Sequence, residues 1–117
     1  MRTLHETRER IAADPKNWCI HLMDFVDDFR YYKDTRAIAK PFEPGEPKMD
    51  ALLASTAEAL CDEMSFPPPQ WLSEVPACAN PFFVGEIENL KAISIVQSPL
   101  RFRIRKIFVL ENFLSRV

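Results

Sequence analysis

DPKNWCIHLMDFVDDFRYYKD, residues 14–34, repeats its large apolar side chains at helical spacing. Trp18, Leu22, Phe25, Phe29 and Tyr32 step by four, three, four and three, which lines them along one stripe of an α-helix. Asp14 can cap that helix, and Pro15 suits its first position, where a missing N–H costs nothing. Burying each stripe residue is worth roughly 1.5–3 kcal/mol, so this helix is expected at the centre of a core.

Helices are expected on both sides. Residues 3–13, TLHETRERIAA, read as a short polar helix with Thr3 as cap and Glu6 three positions later. From Lys48 to Met64, Met49, Leu53, Thr56, Leu60 and Met64 share a face that Leu52 and Ala57 widen, and alanines at 51, 54, 57 and 59 favour helix. Between these segments residues 35–47 lose the pattern. Pro41, Pro44, Gly45 and Pro47 make a long, partly extended connection there, with Phe42 as its pin. Pro67–Pro69 stop the third helix, and PQWLSEV has room for one or two turns carrying Trp71 and Leu72 inward. Asn80-Pro81 reads as the start of a fourth long helix reaching about Gln97, with Ile87, Leu90, Ile93 and Val96 among its apolar residues. The expectation is an all-α single domain over residues 1–117: four main helices, short helical turns and a proline-rich connection. Two glycines against ten prolines agree with it, since hairpin turns draw on glycine at positive φ.

Bulk properties exclude several classes. The 117 residues suffice for one domain with its own core, and 47% apolar with 27% charged residues is globular composition. Cys19, Cys61 and Cys78 are odd in number, far apart and without a C-x-x-C pair, which argues for buried thiols in a reducing compartment. No apolar run approaches the ~18 residues of a membrane span, and a polar stretch follows Met1, so a cytoplasmic protein without a membrane partner is expected. The net charge of −2 is small but uneven: residues 101–117 hold five of the fifteen Lys/Arg and one of the seventeen Asp/Glu.

That basic end centres on SPLRFRIRK, residues 98–106. As a strand it would put Arg101, Arg103 and Arg105 on one side and Phe102, Ile104 and Lys106 on the other. As a short helix from Pro99 it would align Leu100, Ile104 and Ile107, with Arg105 and Lys106 at the favourable C-terminal end. Ser98-Pro99, a cap and first-position pair, favours the helix, followed by an extended IFV and a last helical segment, LENFLSRV. The charges have three possible employments: pairing with the domain's own acidic helices, clamping a protein partner, or binding nucleic acid. The last wants a wide basic face, and a second helix bearing Asp24, Asp27 and Asp28 is a poor recognition helix. The candidate partner-binding residues are therefore Arg101, Arg103, Arg105 and Lys106, with Phe82 and Phe83 as neighbouring aromatics; Arg suits bidentate carboxylate contacts.

No catalytic residue and no metal or other cofactor is expected. The chain has no nucleophile elbow, phosphate-cradling glycine loop or dinucleotide fingerprint. His21, Asp24 and Asp28, at i, i+3 and i+7 of the second helix, could offer one nitrogen and two carboxylates to a metal, and Glu86 with Glu88 could do acid–base work. Such faces are far more often solvated surface. A small enzyme or metal protein using His21, Asp24 and Asp28 is one alternative reading, and a nucleic-acid-associated regulator is the other.

Residues 50–117 carry a further signal. Pro81-Phe82-Phe83, then Leu90-Lys91-Ala92, then Ser98-Pro99 followed by Phe102-Arg103-Ile104-Arg105-Lys106-Ile107-Phe108-Val109 resemble the pattern of a family of small bacterial proteins, with ALCDEM (59–64) and PPPQW (67–71) preceding it. Similar segments stand alone or behind a helix-turn-helix repressor domain, and look linked to nucleotidyltransferase-like toxin genes. The resemblance implies an antitoxin-like or regulatory role, with such a toxin as a protein partner; a homo-oligomer is compatible with it. The chain departs from the repressor-fused arrangement by lacking the DNA-binding domain, so operator binding is not implied.

Overall fold

The computed structural model describes residues 1–84 and 98–109. These form a mostly helical domain: α1 (Leu4–Ala13), α2 (Trp18–Tyr32), α3 (Pro47–Met64) and two single-turn helices, α4 (Gln70–Ser73) and α5 (Leu100–Arg103). Two 3-10 turns, Pro15–Asn17 and Thr35–Ile38, flank α2. The only sheet among the described residues is a parallel pair, β1 (Phe82–Phe83) with β2 (Ile107–Phe108), in the register Phe82 to Ile107 and Phe83 to Phe108.

The caps explain where the helices begin. Thr3 Oγ1 accepts from the Glu6 N–H at 3.1 Å, and the Glu46 carboxylate accepts from the Met49 N–H at 2.8 Å, one residue before Pro47 opens α3. Asp14 behaves differently from the cap expected of it. Pro15 begins a 3-10 turn, α2 starts only at Trp18, and the Asp14 carboxylate is taken by Asn17 Nδ2 and His21 Nε2. Hydrogen bonds from Asn17 and His21 hold the Asp14 carboxyl below the usual carboxylate range. With glycine scarce, Lys33 (φ 51°) and Ser65 (φ 59°) take the left-handed positions that end α2 and α3.

The core centres on α3, not on α2 as the apolar stripe suggested. Every residue from Ala51 to Glu58 is buried, because the small side chains at 51, 54, 55 and 57 let α1, α2, α4 and α5 approach the helix from several sides. From α2, Leu22, Phe25, Val26 and Phe29 are buried, whereas Trp18 is only partly covered and Tyr32 is 52% exposed in the last helical turn. The connection at 39–46 is tied down at both ends. Phe42 is buried edge-on against Trp71 (centroids 5.3 Å, 88°), and the Gly45 N–H donates to Asp50 Oδ2 at 2.7 Å. Arg8 Nε takes the other Asp50 oxygen at 2.7 Å, joining α1 to α3. Trp71 Nε1 donates to the Ile38 carbonyl at 2.9 Å, so α4 brings both Leu72 and the indole inward as its sequence implied.

Two C-terminal expectations need revision. Asn80-Pro81 does not open a helix: Phe82 and Phe83 are extended, and the Phe82 and Val84 N–H groups donate to the Lys106 and Phe108 carbonyls. The remainder of the expected fourth helix, with Leu90-Lys91-Ala92 and the Glu86/Glu88 pair, lies outside the described residues, as does LENFLSRV. Residues 98–109 follow the helix-then-strand reading, but Ser98 does not cap α5. Its buried hydroxyl accepts from the Val109 N–H (2.7 Å) and donates to the Val109 carbonyl (3.0 Å), cinching the segment at its ends.

Candidate functional site

The basic segment divides into an inward and an outward half. Arg105, at 4% exposure, is part of the interior. Its guanidinium donates to the Leu72 carbonyl at 2.6 Å and the Val75 carbonyl at 3.2 Å, and pairs with the Glu58 carboxylate, itself 3% exposed. Ser55 Oγ lies 3.4 Å away. One residue thereby anchors α3, α4 and the chain after α4 to the C-terminal segment. A solvent-facing clamp at Arg105 is thus replaced by an internal one. The planar fork explains the choice of Arg: two carbonyls and a carboxylate are met by donors in fixed directions, which a Lys ammonium on a flexible stem would not match.

Arg101 is half-committed. Its Nε and Nη2 grip both oxygens of Asp62 at 2.8 and 3.0 Å, and Nη1 stands 3.5 Å from Glu58. The Asp62 carboxylate raises the pKa of Arg101, and nearby Glu58 adds to the effect. The pair is partly solvated and contributes little to stability, whereas its geometry orients the first turn of α5.

What remains facing outward is Arg103 and Lys106, and among the described residues neither side chain has an ion-pair partner. Leu100 (65% exposed) and Ile104 (55%) join them. Leu100, Arg103 and the C-cap residue Ile104 stand at i, i+3 and i+4, so α5 and its cap present two aliphatic side chains and a guanidinium on one face. Lys106 follows in a left-handed backbone conformation (φ 61°) as the chain turns into β2. The sequence aligned Leu100, Ile104 and Ile107 on one stripe, but only Ile107 is buried, in β2, and Leu100 and Ile104 stay exposed; the charge pattern had left both out of the partner-binding set.

Phe82 and Phe83 lie alongside, each half-buried. Phe83 stacks on Phe108 (5.1 Å, 26°), and Lys48 Nζ sits 5.5 Å from the centre of the Phe82 ring. They form part of the β1–β2 surface rather than a freely projecting pair.

The possible metal face on α2 is broken into separate pairs. His21 Nε2 is 3.1 Å from Asp14, Asp24 is 3.6 Å from Arg2 Nη1, and Asp28 accepts from the Arg2 backbone N–H at 2.9 Å. Among the described residues no group of three His, Cys, Asp or Glu is placed to hold a metal ion. All three cysteines are free, but only two are buried as expected: Cys19 is exposed on α2, while burial pushes the Cys61 thiol up to about 11 and raises that of Cys78. Among the described residues no helix is long and apolar enough to cross a membrane.

No protein-family model, curated protein or solved structure matches the chain.

Proposed function

We propose that this chain is a non-enzymatic, cytoplasmic interaction domain, antitoxin-like or regulatory, that binds a protein partner through the outward face of α5. The observation that supports the reading best is the pairing of exposed Leu100 and Ile104 with exposed Arg103 and Lys106 on one short, internally braced element. Aliphatic groups that exclude water beside an unpaired guanidinium are the ingredients of an interface centre aimed at an acidic, partly apolar surface. Arg101 and Arg105 support that face from behind, because their ion pairs to α3 fix where α5 sits. Phe82 and Phe83 extend the same reading along β1. A nucleotidyltransferase-like toxin, implied by the resemblance of the C-terminal half, is the partner class to look for.

The test is affinity purification of the tagged chain from its native cell, with identification of the proteins retained at moderate salt. A dominant protein lost on Arg103→Glu, and lost equally on a paired Leu100→Ser, Ile104→Ser change, supports the proposal. A central arginine is worth about 2 kcal/mol at such an interface, a weakening of roughly thirtyfold. Retention unaffected by either variant, retention of nucleic acid in its place, or a clean preparation overturns it.

A further inference from the structure

A second place on the molecule, independent of α5, is organised like a ligand site. A cavity of about 290 Å³ opens between the 39–46 connection and the chain around α4. Its walls include Phe42, Trp71, Pro44 and Val75, and two acids, Asp50 and Glu74, border it. The volume lies near the lower end of ligand pockets, roughly 300–1,000 Å³, so a small ligand is required.

The cavity is held open by bonds already described. The Trp71 indole is fixed by its hydrogen bond to Ile38, and the Phe42 ring stands against it at 88°, so the two aromatic planes form a corner. Val75 and Leu72 are pinned through their carbonyls by Arg105. Asp50 has committed both oxygens, one to Arg8 and one to the Gly45 N–H. Its charge is therefore largely offset, and the uncompensated negative charge belongs to exposed Glu74, which has no ion pair among the described residues.

These features select a ligand chemistry. An anion meets only carboxylates here. A primary ammonium carries three donors, and with the Asp50 oxygens engaged the Glu74 carboxylate at the border is the main acceptor left to it; entering would cost it hydration that one carboxylate replaces only in part. A fully alkylated ammonium has no donors to satisfy. It gains from aromatic faces, from apolar contact with proline and valine, and from a carboxylate at the opening. We propose that the Phe42–Trp71 corner is a binding site for a small quaternary ammonium cation.

The proposal is tested on the full chain by titrating choline, its neutral carbon isostere 3,3-dimethyl-1-butanol, and ethanolamine, reading tryptophan fluorescence and, to locate the site, amide shifts by NMR. Choline is expected to bind at least about fivefold more tightly than either competitor, with perturbations concentrated at residues 41–50 and 71–76. Glu74→Gln, on an exposed side chain, should weaken choline severalfold and leave the alcohol unchanged. Trp71→Leu, checked for retained helicity, should abolish the preference for the cation. Equal binding of choline and the alcohol would reduce the cavity to an apolar cleft and overturn the proposal. So would absence of binding in the millimolar range, or perturbations at other residues.

Discussion

Replacing Arg105 by Met removes a charge that the interior has been built around. Met keeps much of the aliphatic stem, so the change isolates the guanidinium. It leaves the Glu58 carboxylate, 3% exposed, with only the more distant Arg101 for company, and leaves the Leu72 and Val75 carbonyls without their donor. Removing one partner from a buried ion pair costs about 3–5 kcal/mol, largely because the other charge stays behind. Set against a total stability of about 5–15 kcal/mol, that loss lowers the melting temperature by roughly 10–20 °C. The double variant Arg105→Met, Glu58→Met removes both charges and keeps only the penalty of the unpaired carbonyls, about 1–3 kcal/mol. It should therefore be the more stable of the two by about 2 kcal/mol. Urea denaturation followed by far-UV circular dichroism measures both differences. A single variant within about 1 kcal/mol of the parent, or a double variant no better than the single, would refute an internal, charge-compensating role for Arg105.

Three further outcomes follow from local geometry. A Cβ at Gly45 would stand 1.4 Å from Arg8 Nη2, so Gly45→Ala must push the guanidinium off Asp50; a loss of about 1–3 kcal/mol in urea is expected, while Gly45→Ala in an Arg8→Ala background should cost much less. Ser98→Ala removes both hydrogen bonds to Val109 and should cost about 1–3 kcal/mol, with faster amide exchange confined to residues 98–109. Burial lifts the Cys61 thiol from 9.0 to about 11, so at pH 8 it holds roughly a hundredfold less thiolate than an unperturbed group; iodoacetamide should label Cys19 quickly, and Cys61 only after denaturant is added.

The apolar rhythm of the sequence carried α2 and α3, because side chains repeating every three to four residues report directly on one buried face; α1 was legible from the Thr3 and Glu6 capping pattern, and α4 from the prolines that precede it. The rhythm could not rank them. Trp18 to Tyr32 display the larger side chains, yet α3 holds the centre, since Ala51, Ala54, Ser55 and Ala57 permit close approach on several sides and small residues leave a weak periodic signal. Asn80-Pro81 has the local chemistry of a helix start. The partner that makes it extended is the Lys106–Phe108 backbone, and nothing in the neighbouring residues announces a ladder formed so far along the chain. The basic segment showed the same limit. Its charges were plain, but which arginine turns inward depends on Glu58, an acid placed among alanines and leucines whose pairing has no period to betray it. Sorting Arg105 and Arg101 inward is what left Arg103, with Leu100 and Ile104, as the face available for contact.

The separation between Glu58 and Arg105 also bears on synthesis. The two are 47 residues apart, so a ribosome adding about 5–20 residues per second delivers the acid roughly 2–10 s before its counter-ion. During that interval α3 can form its backbone turns, but closing the other helices over Glu58 would strand a bare carboxylate. Closure of the nascent domain is thus disfavoured until Arg105 is added, and a polypeptide cut short between the two is expected to be cleaved faster by protease than the finished fold.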